Sequence, residues 1–174
     1  MSKKIVKNRT KKLWRQQFAG IDLSQLKFLD IAFLSVIQER INEAEMCFSA
    51  RAPLAVIVLC GSALEGILHQ CACQHLETFS RSSAAPKNQR GEVKELSKWG
   101  MESLINVSCA VGLLQKDVKE FSKMLTKYRN YIHPAEQVRA DFTPTMETAQ
   151  MCVQTLIVAI SYMEQSRFNG GGGG

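Results

Sequence analysis

An arginine and a histidine four residues apart hold most of the chemical interest of this sequence, in the segment Tyr128-Arg129-Asn130-Tyr131-Ile132-His133-Pro134. If the segment is helical, Arg129 and His133 share a face next to the apolar pair Tyr128 and Ile132. A guanidinium can grip two non-bridging phosphate oxygens and stabilise the charge that grows on them. An imidazole can take or give a proton near neutral pH. Together they suit a phosphodiester. RNA brings its own nucleophile in the 2′-OH, so this chemistry calls for no metal and no cofactor. The same residues also have a structural reading. A histidine at a helix C-terminus opposes the partial negative charge of the last carbonyls. The arginine can pair with a buried acid, and Glu65 is the best candidate, either as a plain ion pair or as a carboxylate that orients the guanidinium.

The elements that must position these residues are legible as helices. Val118, Phe121, Leu125, Tyr128 and Ile132 step by three and four, so they predict a helix with Asp117 as its cap. That helix ends at His133-Pro134, because proline disfavours helical geometry in the residue before it. Upstream, Leu26, Leu29, Phe33, Ile37, Ile41, Ala44 and Phe48 form the same stripe, with Ser24 as the expected cap. Pro53 opens a second helix that runs to about His75 and is apolar nearly all round, which places it at the centre of a bundle. Its small residues Gly61, Ser62, Ala63 and Gly66 let neighbouring helices come close. Residues 80–91 read as an exposed, mobile, basic loop whose Arg81, Lys87 and Arg90 either extend a phosphate-binding surface or are simply solvated. Residues 93–112 read as one or two short helices ended by Gly112, with Leu96, Trp99, Leu104, Ile105, Val107 and Ala110 as apolar contacts. Thr143-Pro144 opens the last helix, with Met146, Ala149, Val153, Leu156, Ile160 and Met163 as its stripe. The expected fold class is all-α, a bundle of four to six helices.

The charge is uneven. The 174 residues carry a formal net charge of +6, yet Lys3, Lys4, Lys7, Arg9, Lys11, Lys12 and Arg15 alone supply +7 with no acid among residues 1–17. Such an arm can bind phosphate non-specifically, in RNA or at an anionic surface, or can serve only as a solvated terminus. Trp14 within it can stack on RNA or dock the arm on the domain. The arm has no apolar core of the signal-peptide kind. The chain divides into a basic arm over 1–20, a helical domain over 21–168 and a glycine linker or appended tail over 169–174.

No stretch reaches the roughly 18 consecutive apolar residues of a membrane span, so a soluble, cytoplasmic protein is expected. The six cysteines fall inside helical apolar patterns, which suits a reducing compartment. His69-Gln-Cys71-Ala-Cys73-Gln-His75 invites a metal reading, but at about 100° per residue His69 and Cys73 face one way and Cys71 and His75 the other. Tyr128 and Tyr131 cannot both face the core. Tyr128 falls on the stripe, which leaves Tyr131 near the surface to stack on a base or sit at a dimer interface.

Arg129-Asn130-Tyr131-Ile132-His133-Pro134 at a helix end resembles the signature of the HEPN superfamily of helical bundles. Gly61-Ser62-Ala63-Leu64-Glu65-Gly66-Ile67-Leu68 resembles its central helix, particularly in small bacterial members of toxin and defence systems. The resemblance spans roughly Ile31 to Met163 in the order of the elements. It implies a homodimer in which the Arg–His helices of two subunits form a shared cleft. Active members are metal-independent ribonucleases with Arg129 and His133 in the roles above and Asn130 beside them. Others are catalytically silent modules that bind a partner protein or nucleic acid. One departure stands out. Family ribonucleases usually place four to six residues between arginine and histidine, and here there are three. The position that carries a further arginine in close relatives is Thr126, while Lys127 offers a charge with five residues intervening, without the planar fork of a guanidinium.

Three functions follow from these readings. The first is an RNA-cleaving toxin or defence effector, with a partner protein from the same system. The second is a silent HEPN-like binding module. The third is a helical adaptor unrelated to the family. Neither a Ser-His-Asp set nor a glycine-rich phosphate loop supports another hydrolase or a nucleotidyl transferase.

Overall fold

Asp30 starts the first long helix. Its carboxylate accepts the Phe33 N–H at 2.8 Å, and α1 runs over Ile31–Ser49. A computed structural model describes Phe18 and residues 21–170, so the basic side chains of the arm and Trp14 lie outside the described residues. Ser24, the expected cap, lies instead in a short 3-10 turn, Leu23–Gln25, capped by Asp22. The helix therefore begins later than its apolar stripe suggests. Leu26 and Leu29 are buried as that stripe requires, but from the chain that precedes it.

After α1 come α2 (Pro53–Gln74), α3 (Leu76–Ser80), α4 (Met101–Ala110), α5 (Lys116–Arg129), α6 (Pro134–Arg139) and α7 (Met146–Gln165). The architecture is all-helical. Among the described residues there is no β-strand, only an isolated antiparallel bridge between Lys87 and Val93. α2 is the axis, packing against α1, α4, α5 and α7. Val56, Ile57, Cys60, Ala63, Leu64, Ile67, Leu68 and Cys71 along it are fully shielded from solvent. By length and composition α2 could cross a membrane, and in this fold 56% of that apolar stretch is buried. Gly66 gives α1 room, since a Cβ there would come within 2.6 Å of Ile37 Cδ1.

Three helices end with the same hydrogen-bonded geometry, in which a left-handed residue reverses the chain and the next amide reaches back to a carbonyl inside the helix. Gly112, at φ +84°, ends α4, with Leu113 N–H bonded to Ser108 O at 2.8 Å. Arg51, at φ +60°, ends α1, and Ala52 N–H reaches Cys47 O at 2.9 Å. Asp141, at φ +46°, ends α6, and Phe142 N–H reaches Gln137 O at 3.2 Å. Only the first of these has the glycine that announces such an ending, so the other two are invisible to a search for Gly.

Several boundaries differ from expectation. The cap of α5 is Gln115, and Asp117 sits in the first turn, where its carboxylate accepts the adjacent Val118 N–H at 2.8 Å. α6 has no counterpart among the expected elements. Pro134 opens it from a position where a missing N–H costs nothing. Thr145, not Thr143, caps α7 and accepts the Thr148 N–H at 3.2 Å. The segment 80–91 is more built than its composition suggests. Asn88 Oδ1 accepts the N–H groups of Arg90 and Glu92, and Lys94 N–H bonds Pro86 O at 2.9 Å. Asn169 belongs to the domain rather than to the glycine tail. It is buried, it accepts the Lys27 N–H at 2.7 Å, and it donates to Gln25 O at 2.7 Å and Glu164 O at 3.0 Å.

Candidate functional site

α5 brings Arg129 to α2 at its last helical residue. Gly61 and Glu65 lie one turn apart on α2 and so share a face. The Arg129 stem crosses Gly61, where a Cβ would meet Arg129 Cδ at 2.9 Å. The guanidinium then reaches Glu65 one turn along, with Nη1 2.6 Å from Oε2. The same Nη1 lies 3.9 Å from Met101 Sδ on α4. Both side chains of the pair are about one-third exposed, 32% for Arg129 and 29% for Glu65. Arg129 is thus the partner that the carboxylate of Glu65, on an apolar helix, calls for. Next to it, Ser62 Oγ accepts from Arg40 Nε at 2.9 Å, which ties α1 to the same stretch of α2.

The chain does not stay α-helical to His133. Asn130–Ile132 tighten into a 3-10 turn, and His133 is extended, at φ −87° and ψ 114°, as a residue before proline must be. A 3-10 turn takes about three residues rather than 3.6, so the phase of the apolar stripe is lost. Tyr131 swings inward to 5% exposure, while Ile132 turns out to 48%. Tyr131 therefore is not near the surface. Its ring stacks on Phe142 at 4.4 Å between centroids, and Tyr128 stacks on the same Phe142 at 4.9 Å. These three rings hold the chain after α6 against the end of α5. Phe121, also expected in the core, is 51% exposed.

His133 is exposed, as are Lys127 in the last turn of α5 and Asn130 at the start of the 3-10 turn. His133 N–H bonds Asn130 O at 3.1 Å, and its own carbonyl accepts from Glu136 and Gln137, which anchors the backbone on both sides of the ring. Among the described residues, no hydrogen bond or ion pair joins Arg129 to His133. The arginine is turned toward α2 and the histidine toward solvent. Of the expected set, the fold brings together Glu65 and Arg129, leaves Lys127, Asn130 and His133 on the surface nearby in the chain, and removes Tyr131 into the interior.

No family model, curated protein or solved structure matches this chain.

The other cluster of donors is dispersed by its helix. Cys73 Sγ lies 3.5 Å from His69 Nδ1 on one face. Cys71 is buried, and the His75 ring packs edge-on against Phe168, 5.0 Å between centroids, with Nε2 3.3 Å from Phe168 O. Among the described residues no three metal-binding side chains converge. Sequence reasoning named Gly61 among the small residues that let a neighbouring helix come close, though not as the bed of the arginine, and it missed Met101 as the arginine's contact and Phe142 as the brace. Only the Gly61–Glu65 spacing of four was there to be found.

Proposed function

We propose that this chain is a HEPN-like helical protein of a toxin or antiviral defence type, acting in the cytoplasm as a metal-independent endoribonuclease at the cleft of a homodimer. The observation that supports this reading is the exposed His133, its backbone anchored on both sides, just beyond the helix whose last residue is Arg129. In the proposed reaction His133 takes the proton of a ribose 2′-OH. The 2′-oxygen attacks phosphorus, the bond to the 5′-oxygen breaks, the departing 5′-oxygen takes a proton from water, and the products are a 2′,3′-cyclic phosphate and a 5′-hydroxyl end. Among the described residues the Glu65-bound Arg129 is engaged through Nη1, so its other N–H groups can meet the phosphate oxygens. The basic residues of the arm, Lys3 to Arg15, add attraction for the RNA backbone.

A second reading draws on the Glu65–Arg129 pair itself. An arginine bedded on Gly61 and held by a carboxylate is what a structural residue looks like. It favours a catalytically silent module that binds a partner protein or nucleic acid. Total RNA and tRNA incubated with the protein in chelator decide between the two, alongside Arg129→Ala and His133→Ala proteins shown to be folded by circular dichroism. Cleavage by the wild type alone, with cyclic-phosphate ends, supports the ribonuclease. Absence of cleavage in every sample leaves the silent module, and a strictly monomeric protein at micromolar concentration counts against both.

A further inference from the structure

Of the 15 basic side chains outside the arm, five stand on the 14 residues of α5, with only Asp117 and Glu120 to oppose them. Elsewhere outside the arm acids outnumber bases, so α5 is a local concentration of positive charge. Four of the five make one row. Lys116, Lys119, Lys123 and Lys127 step by three and four, so at about 100° per residue they fall within about 80° of one another. The row is turned away from Val118, Ser122 and Leu125, the buried residues that seat the helix. The fifth, Arg129, reaches Glu65 instead. Lys116 and Lys127 are exposed, and Lys119 and Lys123 partly so. Among the described residues only Lys123 of the four has an acid partner, Glu120 at 3.3 Å, in an exposed pair that is weak in water. Like charges three and four apart on a helix destabilise it, so the stability of α5 does not account for the row.

Charge spread over about 16 Å of helix calls for an anion that is itself extended. A lipid surface does not fit, because a helix lying in a membrane interface needs large apolar side chains beside its lysines. On α5 the exposed Phe121 faces almost the opposite way, toward Met151 and Val158 of α7, while the row is flanked by Glu120 and Thr126. A polynucleotide strand presents a line of phosphates, and basic side chains that track its backbone are the usual means of holding it. The row also leads to the candidate site. Lys127 lies three residues before the 3-10 turn Asn130–Ile132, and the exposed His133 follows that turn.

We infer that the lysine row of α5 binds the phosphate backbone of a single RNA strand and carries it toward His133. The inference rests on the RNA-directed reading above, and it is tested by binding rather than cleavage. The probe is a 2′-O-methyl oligoribonucleotide, which lacks the nucleophile and stays intact. Its affinity for the full-length chain is measured by fluorescence anisotropy between about 50 and 200 mM salt.

The triple variant Lys119→Gln, Lys123→Gln, Lys127→Gln, shown to be folded by circular dichroism, is expected to bind about a hundredfold more weakly at about 0.1 M salt. The slope of log affinity against log salt is expected to be shallower by about 2, at about 0.7 for each lost phosphate contact. Glu120→Gln is expected to tighten binding by about threefold, the scale of one exposed charge contact. Lys27→Gln, Lys94→Gln, Lys98→Gln removes the same charge at exposed positions off α5 and should leave the slope as it was. The arm is common to all these proteins and cancels in the differences. A wild-type slope in the α5 variant overturns the inference, as does an equal loss in the control. Polyglutamate bound as tightly as the oligonucleotide also overturns it, and assigns the row to an acidic protein segment. Ordinary RNA left uncut by a chain that meets these expectations removes the ribonuclease reading alone. Cleavage that survives in the α5 variant with its slope unchanged removes the inference alone.

Discussion

The Arg129 guanidinium meets the Glu65 carboxylate at 2.6 Å only because Gly61, one turn earlier on α2, has no side chain to hold the arginine stem away. One close approach thus joins the two stretches of sequence that resemble a family signature. It also makes Arg129 a structural residue, whatever else it does.

A double-mutant cycle on Glu65→Gln and Arg129→Ala should return a coupling of about 1 kcal/mol, the value for an ion pair still partly in reach of water. Arg129→Ala alone should cost more, about 2 kcal/mol, since it leaves Glu65 without its partner. Urea unfolding of the four proteins measures both. A coupling near zero would reduce the pair to a surface contact.

Gly61→Ala should change sign with its background. In the wild type the new Cβ meets Arg129 Cδ at 2.9 Å, so the arginine must shift and the gain in helix propensity is offset. In an Arg129→Ala chain the 2.9 Å clash is gone and the residue 129 Cβ stays at 3.4 Å, so Gly61→Ala should stabilise by up to about 1 kcal/mol. Thermal unfolding of both pairs tests the difference.

Arg51→Gly should raise stability by about 1 kcal/mol. Arg51 holds φ +60° at the end of α1, a conformation that costs a residue with a Cβ and costs glycine little. Chemical denaturation measures the gain. A loss instead would show that the Arg51 side chain contributes more than the strain it imposes.

The buried thiols make the fold sensitive to alkali. Burial pushes Cys71 and Cys152 up to about 12, and burial with the nearby Cys152 pushes Cys60 up as well. An unfolded cysteine ionises near about 8.5. Below that pH both states keep the proton and nothing is lost. As pH rises above it, the unfolded chain releases protons that the folded chain retains, so stability falls from about pH 9 towards 12. Melting temperatures across that range should drop more steeply for the wild type than for Cys71→Ala with Cys152→Ala. At neutral pH the exposed Cys73 should react first with a thiol reagent, and Cys60, Cys71 and Cys152 only on unfolding.

The helical character of this chain, its central helix from Pro53, the core stripe of α7 and the extended His133 could be read from spacing alone. Each depends on neighbours in sequence: a periodicity of three and four, a proline at a first turn, a proline after a histidine. Glu65 as the partner of Arg129 was also legible, because a carboxylate in an apolar helix needs a cation. What the tertiary structure decided is where the local rules compete. Two side chains able to cap a helix, Ser24 and Asp30, precede α1. Packing chose Asp30, whose other carboxylate oxygen also accepts from the buried Gln70 at 3.0 Å. Asn169 reads as linker because its three hydrogen-bond partners lie on backbone at residues 25, 27 and 164, most of them remote in sequence. A 3-10 turn of three residues exchanged Tyr131 for Ile132 in the interior, since Phe142 waited there to stack on it. Local physics sets which segments are helical. Which face each presents, and whether Arg129 and His133 look the same way, depends on contacts that only the folded chain makes.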